Sequence, residues 1–208
     1  MYTKDDITIE GNPILRQKCE RVRFPLTKED KETLKQLHEY MVVSEIDELV
    51  KKYNIRPGVG IAAPQVGVAK RMFSMNCTDF LDEKQTKYSY TVINPEIIAK
   101  SDLMVYLPDG EGCLSVNRNT EGLVTPRHYK IIAKCALFDS VTEKVRNVKL
   151  TLEGYPAIVF QHENDHLDGI MYVDKMYKVK DLDPKILPLY TLNEEDDEEE
   201  ESEEGKAE

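Results

Sequence analysis

Residues 161–169 read Gln-His-Glu-Asn-Asp-His-Leu-Asp-Gly, and the His162-Glu163-x-x-His166 within them constrains this chain more than any other feature. On an α-helix, residues four apart lie on one face, so His162 and His166 can turn imidazole nitrogens toward one metal ion. Glu163 sits one position round from His162, within reach of a water on such an ion without being a ligand itself. Two ligands and a base so close together form an arrangement for metal-assisted hydrolysis. The same spacing recurs in unrelated helices, where a histidine is a satisfied core or surface residue, so the flanking residues matter. Tyr155-Pro156-Ala157-Ile158-Val159-Phe160 is apolar and suits a buried helix start, with Pro156 tolerated in the first turn. Gly169 is a stop signal just beyond the pattern. Two of the chain's four histidines fall in this one turn.

Two histidines leave a catalytic site short of a ligand, since such sites usually have three protein ligands and an open position for water. In zinc proteases with this pattern the third is generally a Glu or His further along the chain. No His follows His166 here, Asp168 is too near, and Asp174 fits a loop. The search therefore turns upstream, to Glu111-Gly112-Cys113-Leu114-Ser115-Val116, where Gly110 and Gly112 bracket Glu111 and permit close backbone approach. Cys113 is a soft thiolate donor suited to Zn(II) or Fe(II). A single cysteine is more often a small buried hydrophobe, and Cys19, Cys77 and Cys135 are read that way. A third segment, Gly58-Val59-Gly60-Ile61-Ala62-Ala63-Pro64-Gln65-Val66-Gly67, is weak by itself. It lacks the Lys-Ser/Thr of a phosphate loop and the third Gly of a dinucleotide fingerprint.

Together the three segments resemble peptide deformylase. That family carries Gly-x-Gly-x-Ala-Ala-x-Gln, then Glu-Gly-Cys-Leu-Ser, then Gln-His-Glu-x-Asp-His-Leu-x-Gly, all present here in order. Asn12-Pro13-Ile14-Leu15-Arg16, Ile93-Asn94-Pro95-Glu96 and Val124-Thr125-Pro126-Arg127 extend the likeness to residues 5–180. Val116 after the Cys motif, and the extra length between the first two motifs, resemble the longer subclass of Gram-positive and wall-less bacteria.

The resemblance implies removal of the N-formyl group from the starting methionine of new polypeptides, releasing formate. It implies one divalent metal ion on Cys113, His162 and His166. That ion is expected to be Fe(II) in the cell, with Zn(II), Ni(II) or Co(II) able to replace it. Glu163 is then the base, and Gln65 with the Leu114 N–H stabilises charge on the formyl oxygen. Val59, Gly60, Gly112 and Ile158 are expected to contact substrate, the backbone at Gly58–Gly60 pairing with an extended peptide and the methionine side chain entering an apolar pocket. Arg127 is read as pairing with Glu111 or Asp165 and so orienting the ligands, against the plainer reading of a surface Arg after a turn Pro. Two rivals stand beside this: a zinc endopeptidase, which needs a downstream ligand, and a non-enzymatic module whose closed metal site needs a fourth Cys or His.

At 208 residues one domain is expected, with residues 1–193 as the catalytic unit. Residues 194–208 hold eleven acidic side chains against one lysine, so that stretch carries −10 of the −11 net charge and the remainder is close to neutral. It is read as a disordered, solvated tail. No apolar run is long enough to span a bilayer, no basic groove suits nucleic acid, and Met1–Asp6 carries no signal-peptide core. Four cysteines without paired spacing fit a reducing compartment. A cytoplasmic protein is expected, meeting N-formyl-methionyl nascent chains with transient ribosome contact.

The apolar spacing predicts one long helix over 27–53, ended by Arg56-Pro57-Gly58, and a second over 154–168. Strands are expected at 71–77, 88–94, 102–107, 129–138 and 145–152, the last two joined as a hairpin at Asp139-Ser140. The class is therefore α+β, antiparallel-rich sheets packed around a central metal-binding helix, with a long N-terminal helix.

Overall fold

The computed structural model describes residues 1–191, so the acidic segment 194–208 and the disorder expected of it lie outside the described residues. The first helix, α1, spans Lys28–Val43. Thr27 caps it: its hydroxyl accepts from the Asp30 N–H (3.1 Å), and the Asp30 carboxylate accepts from the Thr27 N–H (3.2 Å). Leu34, Leu37, Tyr40 and Met41 face the core.

The single helix expected over 27–53 is two helices. The chain turns at Ser44–Ile46 and resumes as α2, Asp47–Tyr53. A straight continuation of α1 would turn Ser44, Glu45 and Glu48 toward the core, and their polarity forbids that burial. Bending lets Leu49 and Val50 pack against the same cluster instead. α2 ends at Tyr53, where the expected helix also ended, and its cap Asn54 takes a left-handed conformation (φ 52°).

Strands follow: β1 (Gly60–Ala62), β2 (Met72–Thr78), β3 (Lys87–Lys100), β4 (Met104–Tyr106), β5 (Leu123–Val124), β6 (Arg127–His128), β7 (Lys130–Phe138) and β8 (Val145–Glu153). Then come α3 (Gly154–Leu167), β9 (Tyr177–Lys178) and β10 (Leu187–Pro188). A five-stranded antiparallel sheet runs in the order β1-β2-β3-β7-β8. Beside it stand a three-stranded sheet, β10-β4-β6, and the pair β5-β9. The strand expected at 88–94 extends to Lys100, bent by register shifts beyond Ile93, where Asn94 (φ 50°) hydrogen-bonds the Val22 backbone. The strand expected at 102–107 shrinks to Met104–Tyr106. The β7–β8 turn runs from Asp139 to Lys144, closed by Asp139 N–H on Lys144 O (2.9 Å).

Both faces of the five-stranded sheet are covered, which is why β2 is buried at nearly every position rather than alternating. On one face Met72, Ile93, Ala136 and Phe138 pack under α1. On the other, Phe73, Met75, Ile131 and Ala133 pack under α3, where Phe73 and Phe160 meet edge to face (5.1 Å between centroids, 84°). A further cluster, Val105 and Leu189, closes on Ile158 of the same helix, so α3 is buried nearly all round. The end of α3 is pinned. Arg71 Nη1 donates to Leu167 O (3.2 Å) and Asp168 Oδ1 (2.6 Å), placing a cation at the helix C-terminus. Gly169 (φ 72°) then completes a Schellman closure, with Gly169 N–H on His166 O (3.2 Å) and Ile170 N–H on Asp165 O (3.0 Å).

A β-carbon at residue 169 would lie 2.6 Å from Arg16 O, a backbone atom that cannot step aside. Gly169→Ala is therefore expected to lower stability by about 2 kcal/mol or more, from left-handed strain and overpacking together. Urea unfolding checks this: the midpoint should fall with an unchanged slope.

Candidate active site

The His-Glu-x-x-His turn lies in the last two turns of α3, and its two histidines meet Cys113. Their donor atoms and the Cys113 sulfur all lie within 4.8 Å of one another, and all three residues are buried. Cys113 Sγ stands 3.3 Å from His166 Nε2. Tetrahedral bonds of about 2.0–2.3 Å place donors roughly 3.5 Å apart, so the set is spaced for one ion. Among the described residues no fourth donor joins the group, which leaves coordination open rather than closed.

The imidazole of His162 is aimed from behind. Its Nδ1–H donates to Glu111 Oε2 (2.7 Å), which leaves Nε2 for a metal. Glu111 in turn accepts two parallel bonds from Arg127, Nε to Oε1 at 2.7 Å and Nη2 to Oε2 at 2.8 Å. Arg127 Nη1 also donates to Asp165, one residue before His166. Arg127 is thus a buried clamp joining the Cys113 loop to α3, and it pairs with both carboxylates named as alternatives in its sequence. Burial alone would raise the Glu111 carboxyl, but the Arg127 guanidinium and the hydrogen bonds from Arg127 and His162 outweigh it and hold it down at about 2. Burial lowers His162 too, yet Cys113 and Glu111 together raise it well above its ordinary value. The pocket between the donors therefore favours positive charge. His166, depressed chiefly by burial and next by the charge of His162, is held as a neutral imidazole.

Glu163 lies beside the three donors without joining them. Burial pushes its carboxyl up to about 7, against the opposing pull of His162. Its Oε2 is buried and has no partner among the described residues. The carboxylate fills the space beside Gly60, where a β-carbon would stand 2.2 Å from Glu163 Oε1. Glycine at this position is what admits the acid.

Gln65 is oriented by its neighbours. Its Oε1 accepts from the Ala62 N–H (2.8 Å), so its Nε2 donates toward Cys113 Sγ (3.4 Å) and Ser115 Oγ (3.2 Å). The Leu114 N–H has no acceptor among the described residues. Gln65, Glu111, Cys113, Leu114, His162 and Glu163 line one cleft of about 230 Å³, together with Gly58, Val59, Gly60, Gly112 and Ile158. A β-carbon at Gly112 would meet nothing within 4 Å, so the space beside it is open. Leu107, Tyr155 and Val159 add apolar wall to the same cleft. The structure thus gathers every residue that the sequence proposed for the site.

Sequence reasoning missed other contributors. Glu111 was placed near the site but not as the partner of His162, although its position between two glycines marked it. Ser115, which holds the Gln65 amide, carried only its adjacency to the Cys motif. Tyr172 stacks on the His162 ring (5.6 Å between centroids, 30°), and nothing in the sequence pointed to it.

A family model described as polypeptide deformylase matches residues 4–182. The peptide deformylase of Halalkalibacterium halodurans is 47% identical over 176 residues, covering 85% of this chain and 92% of its own length. Among solved structures, a probable peptide deformylase from synechococcus phage S-SSM7 superposes with a TM-score of 0.59 at 34% identity, covering 81% of this chain and 97% of its own. A class I type b peptide deformylase from Acinetobacter baumannii, solved with Met-Ala-Ser bound, does so with a TM-score of 0.59 at 28% identity, covering 81% and 96%.

Removing Arg127 would leave the buried Glu111 carboxylate without its counter-charge. Arg127→Ala is expected to cost about 3–5 kcal/mol of stability and to weaken metal binding roughly 10–100-fold by freeing His162. Denaturant titration measures the first and competition with a chelator the second.

Proposed function

The chain belongs to the polypeptide deformylase family, hydrolases that remove the N-formyl group from new polypeptides, and we propose that Cys113, His162 and His166 hold its catalytic metal ion. The observation that carries this reading is the meeting of those three buried donors with Glu163 at one end of an open cleft. A thiolate and two neutral imidazoles accept Fe(II) and Zn(II) alike, and Ni(II) or Co(II) could stand in; Fe(II) is the ion proposed for the cell. Such an ion, when bound, supplies Lewis-acid polarisation and lowers the pKa of water to about 7.

The chain's own groups do the rest. Glu163, with one carboxylate oxygen unpartnered, takes a proton from the attacking water and returns it to the amine nitrogen as the C–N bond breaks. Charge that develops on the formyl oxygen is met by the unengaged Leu114 N–H and by the Gln65 amide, which Ala62 and Ser115 keep turned toward the site. β1 is the outer strand of the five-stranded sheet, so its edge, with the Gly58–Val59 segment that leads into it, can take an extended peptide as an added strand. The apolar wall of Val59, Leu107, Ile158 and Val159 suits a methionine side chain. Met-Ala-Ser, bound by the Acinetobacter baumannii relative, has the form of the product expected here. Residues 1–193 are proposed to act as one catalytic unit in the cytoplasm, with transient contact to the ribosome that supplies the nascent chains. No helix among the described residues is long and apolar enough to cross a membrane.

Metal-loaded protein is expected to release formate from formyl-Met-Ala-Ser and to leave internal peptide bonds intact. A formate assay beside mass spectrometry of a longer formylated peptide decides it. Internal cleavage without formate would hand the site to the endopeptidase reading.

Glu163→Ala is expected to retain the ion while losing turnover by about 10²-fold or more, since its role is proton transfer. His162→Ala is expected to lose ion and turnover together. Elemental analysis of the two purified variants, set beside their rates, tells a base from a ligand.

A further inference from the structure

The turn that carries Cys113 and Leu114 is held from outside by a residue that none of the three motifs contains. Arg56 lies between α2 and β1, at the mouth of the cleft. Its Nη1 donates to Leu114 O (3.3 Å), Val116 O (3.1 Å) and Asn117 Oδ1 (3.1 Å). Its own carbonyl accepts a hydrogen bond from the Tyr40 phenol (2.8 Å), and Tyr40 is fully buried in α1. Arg56 is therefore anchored at its backbone to the core and at its guanidinium to the Cys113 turn.

The geometry of that turn gives the contact a chemical meaning. The Val116 N–H closes the turn on Cys113 O (3.2 Å). Cys113 O belongs to the same peptide plane as the Leu114 N–H, so this bond sets where that N–H points. The carbonyls of Leu114 and Val116 face Arg56, while the Ser115 carbonyl between them accepts from the Glu10 N–H (2.8 Å). One guanidinium nitrogen reaches both together with the Asn117 amide oxygen, sharing its two N–H groups among three acceptors. Leu114 also forms the surface against which the strand edge approaches, since a β-carbon at Gly58 would lie 3.4 Å from Leu114 Cδ2.

We propose that Arg56 is a positioning residue for deformylation, holding the Cys113–Val116 turn so that the Leu114 N–H meets the formyl oxygen. This rests on the reading in which Leu114 donates to that oxygen. Arg56 acts through the turn: it neither touches the reacting atoms nor holds the metal.

The test compares Arg56→Ala, Arg56→Lys and Arg56→Gln with the wild-type full chain, each metal-loaded. Misplacing a catalytic group by about 1 Å costs roughly 10²-fold in rate, so Arg56→Ala is expected to lower kcat on formyl-Met-Ala-Ser by about 10–100-fold. KM should change far less and metal content should not change. Millimolar guanidinium should restore part of the loss, and Arg56→Lys should lie between alanine and wild type. Hydrogen exchange at the Val116 amide should quicken by about tenfold in Arg56→Ala, because the turn bond opens more often. If Arg56→Ala does not fold, Arg56→Gln, which keeps a shorter donor, carries the same comparison. A kcat within about twofold of wild type, a loss confined to KM, or an unchanged Val116 amide would each overturn the proposal. Should wild-type protein release no formate, the reading of the site has failed instead, and Val116 exchange still reports whether Arg56 holds the turn.

Discussion

The site depends on one buried ion pair. Arg127 and Glu111 are sealed from water, and their bidentate contact joins the Cys113 loop to the strand beside α3. Either charge alone in that place would cost several kcal/mol, so the two are ordered together or not at all. From this pair the constraint spreads: Glu111 fixes the ring of His162, and Arg127 reaches Asp165 beside His166. The three proposed metal donors come from two distant stretches of chain, and this pair ties those stretches together. A plain apolar contact could bring the segments together, but it would not orient an imidazole.

A second constraint is space. α3 can be surrounded because both faces of the central sheet are covered, which frees the helix from any need for a polar stripe and lets its buried interior carry chemistry. A buried His-Glu-x-x-His turn would be costly unless each polar group had a use. His162 finds Glu111, and Glu163, whose Oε2 has no partner among the described residues, lines the cleft. Glycine in the edge strand serves the same end: Gly60 yields its side-chain volume to the Glu163 carboxylate.

Much of this was legible in the sequence because it is local. Four-residue spacing places His162 and His166 on one helical face whatever surrounds them. Apolar runs of β-branched and aromatic residues marked the long strands, and Gly169 marked the end of α3 because only glycine takes its backbone conformation at little cost. Local signals misled where burial overrode them. The periodicity from Leu34 to Val50 reads as one helix, yet it ignores that Ser44, Glu45 and Glu48 would have to enter the core, so the chain bends.

Tertiary structure decided what involves residues far apart. No spacing rule states that Cys113 meets a histidine 53 positions later, that the Gln65 amide is turned by Ala62 and Ser115, or that Tyr172 lies flat on His162. Nor could the sequence choose between Glu111 and Asp165 for Arg127, since a guanidinium with five donors can serve both and only packing brings both within reach. By itself the chain determined which groups were available and which short segments were helical or extended, because backbone sterics and side-chain periodicity act over a few residues. The meeting of the Cys113 sulfur, two imidazoles and the Glu163 carboxyl at the edge of one sheet was left to the fold, because that arrangement exists only once the apolar faces of β2, β7 and α3 have been buried against one another.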